Sequence, residues 1–369
     1  MDKKKICVVS AYAYIEQHIN YGSLFQYYAL EKALDQLNCE AYWLRFVLPK
    51  EKTQTGIKAA VKRIAFRKRN HEIAKVLEEF QKFILKYLRV SDKLYTEEDL
   101  QSECPEADAY ITGSDQVWGG TLKPNYLCFA DDERLKISYA ASFGKSVIAQ
   151  EHKEKITPWI QRMNAISVRE PSGVQICKEM GKDAVLVLDP TLLLDAECYP
   201  ADNKTAMNLG KYYFAYFLNV TKNNAGEYVE VLNDVKKKLG KFLVAGGVSE
   251  IDRFISREDT VFCSPESWLG MYRKANGIIT NTFHGTVFAI IFKKSFLVCF
   301  QNGSTAEQNE RIYSLLKLFK LEDRVYVRNN SIEEQMNRPI DWNCVDTICK
   351  SNRETSFAVL KEALEENRK

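Results

Sequence analysis

Short apolar runs rich in β-forming residues alternate with amphipathic stretches of helical periodicity along almost the whole chain. In the first half, strands are predicted at 6–11, 39–45, 109–113, 137–142, 165–169 and 184–188, with helices at 23–36 and 155–164. In the second half, strands are predicted at 212–218, 241–245, 261–263, 277–281 and 295–300, with helices at 225–239, 265–274 and 286–293. This alternation predicts an α/β fold with largely parallel sheets.

The alternation is interrupted between the two halves. Asp189-Pro190-Thr191 breaks the pattern, and the stretch at 199–204 is polar. We therefore place a linker there and predict two Rossmann-like domains that face a central cleft, an N-terminal domain at 1–195 and a C-terminal domain at 205–345. A final amphipathic helix is predicted at 352–366, and residues 346–369 are expected to pack back on the N-terminal domain.

One region, within an insertion at about 50–90, departs from the pattern. Residues 58–87 have helical periodicity, with apolar positions on one side and many lysines and arginines. A solvated insertion with an ordinary basic face is the favoured interpretation, and a surface that meets an anionic membrane or another polyanion is the alternative.

Composition describes an ordinary soluble globular protein. The chain has 369 residues, 46% hydrophobic and 27% charged, with a net charge of +3, so nucleic acid binding is not indicated. Ten cysteines lack the spacing of a zinc or redox motif, and the four histidines are scattered, so no metal site is predicted. Several cysteines lie in apolar strands, which favours free thiols in a reducing cytoplasm. No signal peptide or membrane span is expected.

The segment from Thr280 to Thr286 carries the first candidate chemistry. It joins a buried strand to an apolar helix, and His284 falls about where that helix begins. Free backbone N–H groups and the positive end of the helix dipole make such a place an anion site, and they disfavour a protonated imidazole unless an anion is bound beside it. His284 is therefore either a catalytic acid or a satisfied structural histidine.

A second candidate, Arg169, ends the strand predicted at 165–169, and Pro171 suits the first position of the next helix. The carboxyl ends of strands are where open α/β sheets bind ligands. Arg169 would then reach a ligand, although an Arg-Glu pair taken by itself is more often a local ion pair.

Two loops add polar groups at the same edge of the sheet. Gly22 in Asn20-Tyr21-Gly22-Ser23 would let a ligand approach a helix amino terminus. The loop that contains Ser114, Asp115, Gln116 and Trp118 offers a hydroxyl, a carboxylate, an amide and an indole, which suits a sugar. A capped turn is the alternative for this loop.

Six motifs, taken together and in order, resemble the polysaccharide pyruvyltransferase family. They are Asn20-Tyr21-Gly22, the segment 113–118, Ser138 to Gly144, Ser167-Val168-Arg169-Glu170, Leu188-Asp189-Pro190-Thr191 and Asn281 to Thr286. The resemblance runs from about residue 18 to about residue 325. It implies a GT-B-like fold and transfer of the pyruvyl group of phosphoenolpyruvate onto a sugar as a cyclic ketal, with release of phosphate.

The resemblance also implies roles for residues of this chain. His284 matches the catalytic histidine, and Arg169 matches the arginine that holds the phosphoenolpyruvate anion. The expected substrate-binding residues are Asn20, Gly22, Ser114, Asp115, Gln116, Trp118, Ser142, Gly144, Thr282, Gly285 and Thr286. A second phosphate-binding cation is left open among Arg63, Arg67, Arg89 and Arg311.

No cofactor is expected besides phosphoenolpyruvate as the donor. The acceptor would be a sugar of a capsular or exopolysaccharide precursor, either free or lipid-linked. The protein would act in the cytoplasm, and contact with the inner face of the membrane is the further expectation. Two rival functions are a GT-B glycosyltransferase that uses a nucleotide sugar and a catalytically silent sugar-binding subunit of a polysaccharide-assembly complex.

Overall fold

Two parallel β-sheets form the centre of the protein. The computed structural model describes residues 3–11, 18–47 and 67–365. The first sheet has the order β2-β1-β3-β4-β5-β6 and the second the order β11-β10-β7-β8-β9, with parallel pairs throughout. The strands are β1 (Lys4–Val9), β2 (Cys39–Trp43), β3 (Ala109–Thr112), β4 (Leu135–Ala141), β5 (Ala165–Val168), β6 (Val185–Leu186), β7 (Tyr213–Tyr216), β8 (Phe242–Ala245), β9 (Thr260–Val261), β10 (Gly277–Thr280) and β11 (Phe296–Val298). The predicted α/β class is confirmed.

Helices cover these sheets in the described part of the chain. They are α1 (Tyr21–Gln36), α2 (Arg67–Tyr87), α3 (Glu97–Ser102), α4 (Gln150–Gln161), α5 (Pro171–Glu179), α6 (Lys204–Met207), α7 (Ala225–Lys238), α8 (Pro265–Lys274), α9 (Phe283–Ile291), α10 (Asn309–Phe319), α11 (Ile332–Asn337) and α12 (Trp342–Glu365). The sheets are apolar on both faces, because alternate residues of a strand enter different cores. In β1, Ile6 and Val8 join one cluster and Cys7 and Val9 another.

The second sheet has the strand order of a doubly wound Rossmann fold, with five of its six strands. β7 lies at the centre of this sheet. β8 and then β9 follow it towards one edge, and β10 and then β11 follow it towards the other edge. The order reverses between β7 and β10, and a reversal of this kind opens a crevice at the carboxyl ends of the strands. β10 leads directly into α9, so His284 lies at that crevice.

The last helix begins earlier than the sequence pattern predicted. α12 starts at Trp342, where Asp341 accepts a hydrogen bond from the N–H of Cys344 at 3.0 Å. Val345 is the one buried residue among the first ten of this helix. Trp342, Ile348 and Cys349 are partly buried and pack against the same core at helical spacing, so this part of the helix is also amphipathic. Later in α12, Ser356 accepts from the backbone N–H of Leu188 at 2.9 Å. This contact holds the helix against the N-terminal sheet.

The basic region is described from Arg67 onwards, and the predicted helical residues 58–66 lie outside the described ranges. α2 packs Phe80 against Tyr21 with ring centroids 5.1 Å apart. Arg69 Nε lies 3.0 Å from both carboxylate oxygens of Asp252, a residue that follows β8 in the C-terminal half. α2 is therefore a bridge between the halves, and Arg69 is not part of a free basic surface.

An aromatic core joins the two halves. Tyr21 of α1 stacks on Trp268 of α8 with centroids 4.9 Å apart, and its hydroxyl donates to the carbonyl of Cys263 at 2.8 Å. Trp268 in turn packs edge-on against Phe288 of α9. Burial of such large rings fixes the two sheets in one arrangement around the cleft. Among the described residues, no helix combines the length and the apolar character that crossing a membrane requires.

Candidate active site

The first turns of two helices meet across the cleft. Asn20 caps α1 by accepting from the N–H of Ser23 at 3.1 Å, and Thr282 caps α9 by accepting from the N–H of Gly285 at 2.8 Å. His284 is the second residue of α9, close to the predicted helix start. The positive ends of both helix dipoles and their free N–H groups therefore point towards the same space.

Gly22 makes this meeting of helices possible. A Cβ atom at Gly22 would lie 2.3 Å from His284 Nδ1 and 2.5 Å from its Cγ. Any larger residue would push the imidazole away, so the group that lies against Gly22 in this structure is His284, and the approach of a ligand there stays a prediction. Gly285 has a related role, since a Cβ there would lie 2.1 Å from Thr280 Oγ1 and would disturb the cap of α9.

Asp189 lies at the centre of the site. Its Oδ2 accepts from Arg169 Nη1 at 2.8 Å and from Ser114 Oγ at 2.7 Å, and it lies 3.5 Å from His284 Nε2. Its Oδ1 accepts from the N–H of Thr191 at 3.0 Å. Burial opposes ionisation of Asp189, but His284 and Arg169 outweigh it and hold the pKa of the carboxyl well below its usual value. Asp189 thus orients the imidazole as a carboxylate.

The Asp189 role was missed from the sequence. Asp189-Pro190-Thr191 was read as the start of a linker and as part of a motif, and no function was assigned to the carboxylate. The sequence did contain a signal for a structural role of Asp189, because an aspartate that follows a strand and precedes Pro-Thr commonly caps the next turn. Its side chain does cap the turn Pro190–Leu193, and its second oxygen remains for the site.

Arg169 is buried among carboxylates. Its side chain is 0% exposed. Besides Asp189, its guanidinium lies 3.4 Å from Asp115 Oδ1 and 3.7 Å from Glu170 Oε2, and its carbon lies 4.5 Å above the centre of the Phe283 ring. That Arg169 clamps the donor stays a prediction, and in this structure its guanidinium pairs with carboxylates of the protein. Arg169 holds Asp189 and Asp115 in place.

Arg311 is the cation that faces the cleft. With the Gln116 amide turned so that its oxygen faces the guanidinium, that oxygen accepts from Nη2 at 2.6 Å and from Nη1 at 3.0 Å. Gln308 lies 3.5 Å away, and Nε has no hydrogen-bond partner. Burial, followed by repulsion from Arg169, lowers the pKa of Arg311 to about 10. A buried guanidinium hydrogen-bonded to neutral amides is a ready anion site.

Of the other three candidate cations, Arg89 is the one whose side chain lies in the described part of the chain. Arg89 lies beside β2 and pairs with Asp35 at 2.6 Å and with Glu31 at 3.3 Å. Arg63 and the side chain of Arg67 lie outside the described part of the chain. Of the four candidates left open by the sequence, the structure brings Arg311 to His284 and Asp115.

The cleft contains two connected cavities. The inner pocket, about 60 Å³, is lined by His284, Arg311, Thr282, Phe283 and Tyr216 together with residues shared with its neighbour. The outer compartment, about 360 Å³, is lined by Ser10, Ala11, Ser23, Phe46, Val117, Leu122 and Asn125. The shared wall consists of Asn20, Asp115, Gln116, Leu218, Asn219 and Gln308. A larger groove of about 830 Å³ lies between the end of α9 and α12, and none of the site residues above lines it.

Asp115 stands where the two cavities meet, in a left-handed backbone conformation with φ of 79°. Its carboxylate accepts from Ser23 Oγ and from its own neighbour, the N–H of Gln116, at 2.9 Å. Burial opposes ionisation, but Arg169 and His284 outweigh it and lower the pKa of Asp115. A strained aspartate held by several donors at a cavity wall is a preorganised acceptor for a ligand hydroxyl.

Several predicted substrate-binding residues support the site without lining a cavity. Trp118 is fully buried, stacks on Tyr126 and donates from its indole N–H to the carbonyl of Asn125 at 3.1 Å, so it is not a stacking surface for a sugar. Thr286 is also fully buried and donates to the carbonyl of Thr282 at 3.0 Å. The expectation that Trp118 and Thr286 contact the substrate is wrong, because both side chains are fully buried and hydrogen-bond to the backbone of their own loop or helix.

Ser142 and Gly144 shape the loop that carries Gln116. Ser142 Oγ accepts from the N–H of Gly144 at 3.0 Å, and Gly144 has a left-handed φ of 73°. A Cβ at Gly144 would lie 2.8 Å from the Gln116 side chain. Of the predicted set, Asn20, Asp115, Gln116, Thr282 and His284 line a cavity.

The charges of the site explain its chemistry. Asp115, Glu170 and Asp189 surround Arg169 and Arg311, and burial raises the pKa of Glu170 although both arginines oppose the rise. His284 thus has a carboxylate on one side and, on the other, a cation whose hydrogen-bond partners are amides, which suits proton transfer next to a bound anion. Among the described residues, no group of three or more histidines, cysteines or carboxylates is placed to hold a metal ion.

The arrangement of the domains is found in proteins of known structure. The fold aligns with the Staphylococcus aureus MnaA–UDP structure at a TM-score of 0.53 and 12% identity, covering 97% of this chain and 91% of that one. It aligns with LpCGTa in complex with UDP at 0.51 and 11%, covering 98% and 99%. The UDP-GlcNAc 2-epimerase of Methanocaldococcus jannaschii gives 0.50 and 9%, covering 96% and 99%. These likenesses concern the fold, and they confirm the GT-B-like architecture.

Sequence comparison identifies the family. A search of curated proteins found no significant match. The family model of polysaccharide pyruvyl transferases matches residues 20–303, a range that includes His284, Asp189, Arg169 and Asp115. Because this match spans well over half of the chain, the resemblance first seen in the motifs is confirmed, and the chain belongs to the polysaccharide pyruvyl transferase family.

Proposed function

We propose that the protein transfers the pyruvyl group of phosphoenolpyruvate onto a sugar of a polysaccharide or lipid-linked oligosaccharide precursor, as a cyclic ketal, with release of phosphate. The proposal rests on the groups that meet in the inner pocket, in a chain that belongs to this family. There, a histidine held 3.5 Å from a buried carboxylate shares one wall with a cation that pairs only with amides among the described residues. An acid and an anion site are the minimum that the reaction requires.

The reaction would proceed in two additions. Phosphoenolpyruvate binds with an anionic group on Arg311 and at the first turns of α1 and α9. His284 gives a proton to the methylene carbon, which leaves an oxocarbenium-like centre at the neighbouring carbon. One sugar hydroxyl adds there, and its proton restores the acid form of His284. A second hydroxyl then displaces phosphate, which closes the ketal ring, and the second proton leaves with the phosphate or returns to the enzyme.

Asp115 is the group best situated for the sugar hydroxyls. It lies on the wall between the two cavities, and its carboxylate is already held by Ser23 and Arg169. We propose that it orients the attacking hydroxyl by accepting its hydrogen bond. Asp189 acts differently, since it positions His284 and contacts no cavity in the described structure.

A glycosyltransferase that uses a nucleotide sugar is the second candidate, because two of the structural neighbours hold UDP in the same fold. The two activities consume different donors. Incubation with a lipid-linked oligosaccharide and either phosphoenolpyruvate or a panel of UDP-sugars separates them, with phosphate release and the mass of the product as readouts. A product heavier by a pyruvyl ketal supports our proposal, whereas transfer of a sugar from UDP rejects it. A silent subunit would bind phosphoenolpyruvate weakly or not at all.

The first prediction concerns the chemical step. His284→Gln keeps a polar side chain at the start of α9 but removes the acid. Phosphate release in the presence of acceptor should fall by about 10²–10⁴-fold, the usual contribution of general acid catalysis, while the affinity for phosphoenolpyruvate changes far less. His71→Gln, at an exposed position of α2, is the matched control. Wild-type turnover by His284→Gln would make His284 a structural residue.

The second prediction concerns the anion site. Arg311→Lys keeps the charge but loses the planar fork, so phosphoenolpyruvate binding should weaken by about 1–3 kcal/mol in calorimetry. Arg324→Lys changes another buried arginine, which pairs with Asp323 away from the cleft, and should leave the affinity unchanged. Equal affinities of wild type and Arg311→Lys for phosphoenolpyruvate would show that its anionic group does not bind at Arg311. Arg169→Lys should chiefly lower thermal stability, because it disturbs buried ion pairs.

The third prediction concerns the position of the imidazole. In Gly22→Ala the new methyl group displaces His284, and a misplacement of about 1 Å can cost on the order of 10²-fold in turnover. Gly226→Ala is the control, because Gly226 is also the second residue of a helix and has open space around it. Similar turnover of the two variants would show that His284 need not lie against α1.

The fourth prediction concerns where the protein acts. We propose a cytoplasmic protein whose α2 meets the anionic inner face of the membrane through exposed Lys68, Lys75 and Lys86. Changing these lysines to glutamine should reduce sedimentation with acidic vesicles at low salt and leave thermal stability unchanged. Arg69→Gln should do the reverse, since it breaks the bridge to Asp252. Equal vesicle binding by the lysine variant and wild type would leave α2 as a structural bridge alone.

A further inference from the structure

The side chain of Gln116 covers the guanidinium of Arg311. Arg311 is 6% exposed, whereas Gln116 is an exposed residue. The Gln116 amide oxygen accepts from Nη2 at 2.6 Å and from Nη1 at 3.0 Å, so one neutral oxygen holds both prongs of the guanidinium fork. A carboxylate or phosphate binds arginine through the same two prongs. Gln116 therefore occupies the position that the anion of a donor would take at Arg311.

The backbone of Gln116 is fixed while its side chain has room to move. The Gln116 N–H donates to the carboxylate of Asp115 at 2.9 Å, and its carbonyl accepts from the N–H of Gly119 at 3.2 Å. Beside the side chain, Gly144 leaves space that a Cβ atom would fill, because that atom would lie 2.8 Å from the end of the amide. Exposed side chains change rotamer within picoseconds to nanoseconds, so the amide can leave the fork without a change of the loop.

The inner pocket is too small for a whole molecule of phosphoenolpyruvate. At about 60 Å³ it has room for roughly five water molecules. Phosphoenolpyruvate carries both a carboxylate and a phosphate, so a lining group must move before the donor reaches Arg311. Gln116 lies on the wall shared with the outer compartment of about 360 Å³. Its side chain can move in that direction, and the movement joins the two cavities.

An exchange of the amide for an anion keeps the guanidinium paired throughout. A buried guanidinium without a partner is costly, and the Gln116 oxygen supplies a partner before the donor binds. An oxyanion offers the same hydrogen-bond geometry and adds the opposite charge, so it can displace the neutral oxygen. The displacement lowers the apparent affinity for every anion, because the fork is open for only part of the time.

We propose that Gln116 is a displaceable cover of the anion site, whose amide oxygen holds the Arg311 fork until a carboxylate or phosphate of the donor replaces it. The inference rests on the proposed pyruvyl transfer for the identity of the donor. It rests on the contact between Gln116 and Arg311 for the cover itself. Gln116 thus controls the entry of the donor, in addition to lining the cavity.

Removal of the cover should change affinity in a direction that damage to the loop cannot imitate. In Gln116→Ala the fork is permanently open, so inorganic phosphate and phosphoenolpyruvate should each bind at least about threefold more tightly in calorimetry on the full chain. Gln101→Ala is the matched control, because Gln101 is an exposed glutamine of α3 that lines neither cavity of the cleft, and it should leave both affinities unchanged. Unchanged or weaker binding of either anion by folded Gln116→Ala overturns the proposal.

A charged side chain of the same length tests the contact in the opposite direction. In Gln116→Glu the carboxylate would form an ion pair with Arg311, which an incoming anion displaces far less readily, so inorganic phosphate should bind at least about tenfold more weakly. Wild-type affinity of Gln116→Glu would show that the side chain does not meet Arg311, which also rejects the cover. Should Gln116→Ala fail to fold, Gln116→Asn takes its place, because its shorter side chain withdraws from the fork and should tighten binding of both anions.

The two anions separate failure of this inference from failure of the proposed function. If both bind more tightly to Gln116→Ala but the wild-type protein consumes no phosphoenolpyruvate with any acceptor, the cover stands and the pyruvyl transfer does not. If the wild-type protein consumes phosphoenolpyruvate while Gln116→Ala binds it no more tightly, the transfer stands and the cover is rejected.

Discussion

The buried guanidinium of Arg169 is the constraint on which the rest of the site depends. It is removed from water and touches Asp189, Asp115 and Glu170, which come from three different loops at the edge of the N-terminal sheet. A buried charge is tolerated only when it is paired, so the loops cannot move apart without a large loss of free energy. Asp189 and Asp115 therefore face the cleft with fixed orientation before any ligand arrives, and that preorganisation is what electrostatic catalysis requires.

Much of the fold could be predicted from the sequence, because parallel strands buried on both faces leave continuous apolar runs. Each predicted strand has a counterpart in the structure, with small shifts such as Thr260–Val261 for the strand expected at 261–263. The early part of α12 was missed although Trp342, Val345 and Ile348 recur at helical spacing and pack on the core, because these few apolar positions lie among polar residues and give a weak periodic signal. The bridge made by α2 also depends on a contact between distant residues, Arg69 and Asp252, which a local pattern does not contain.

The site was predicted in position more than in role. The motifs pointed to the correct edge of the sheets, and His284 and Asp115 line the cleft. Arg169 and Trp118 were assigned to ligands because their chemistry suits ligands, but burial decides whether such groups are available, and burial is a property of the folded chain. We assign the anion site to Arg311 because its nearest partners are neutral amides, which leave its charge available to a ligand. Arg89, in contrast, is already paired with two carboxylates.

The contact between His284 and Asp189 joins the two domains through the reactive group itself. The histidine is carried by α9 and the carboxylate by the loop after β6, and Gly22 of α1 lies against the ring. A small rotation of one domain relative to the other would separate the imidazole from its carboxylate and from α1 together. If His284 is the acid, as we propose, this acid is complete only while the imidazole, its carboxylate and α1 stay together. A molecule with separated domains would then be unable to protonate phosphoenolpyruvate and would lose none of it to water.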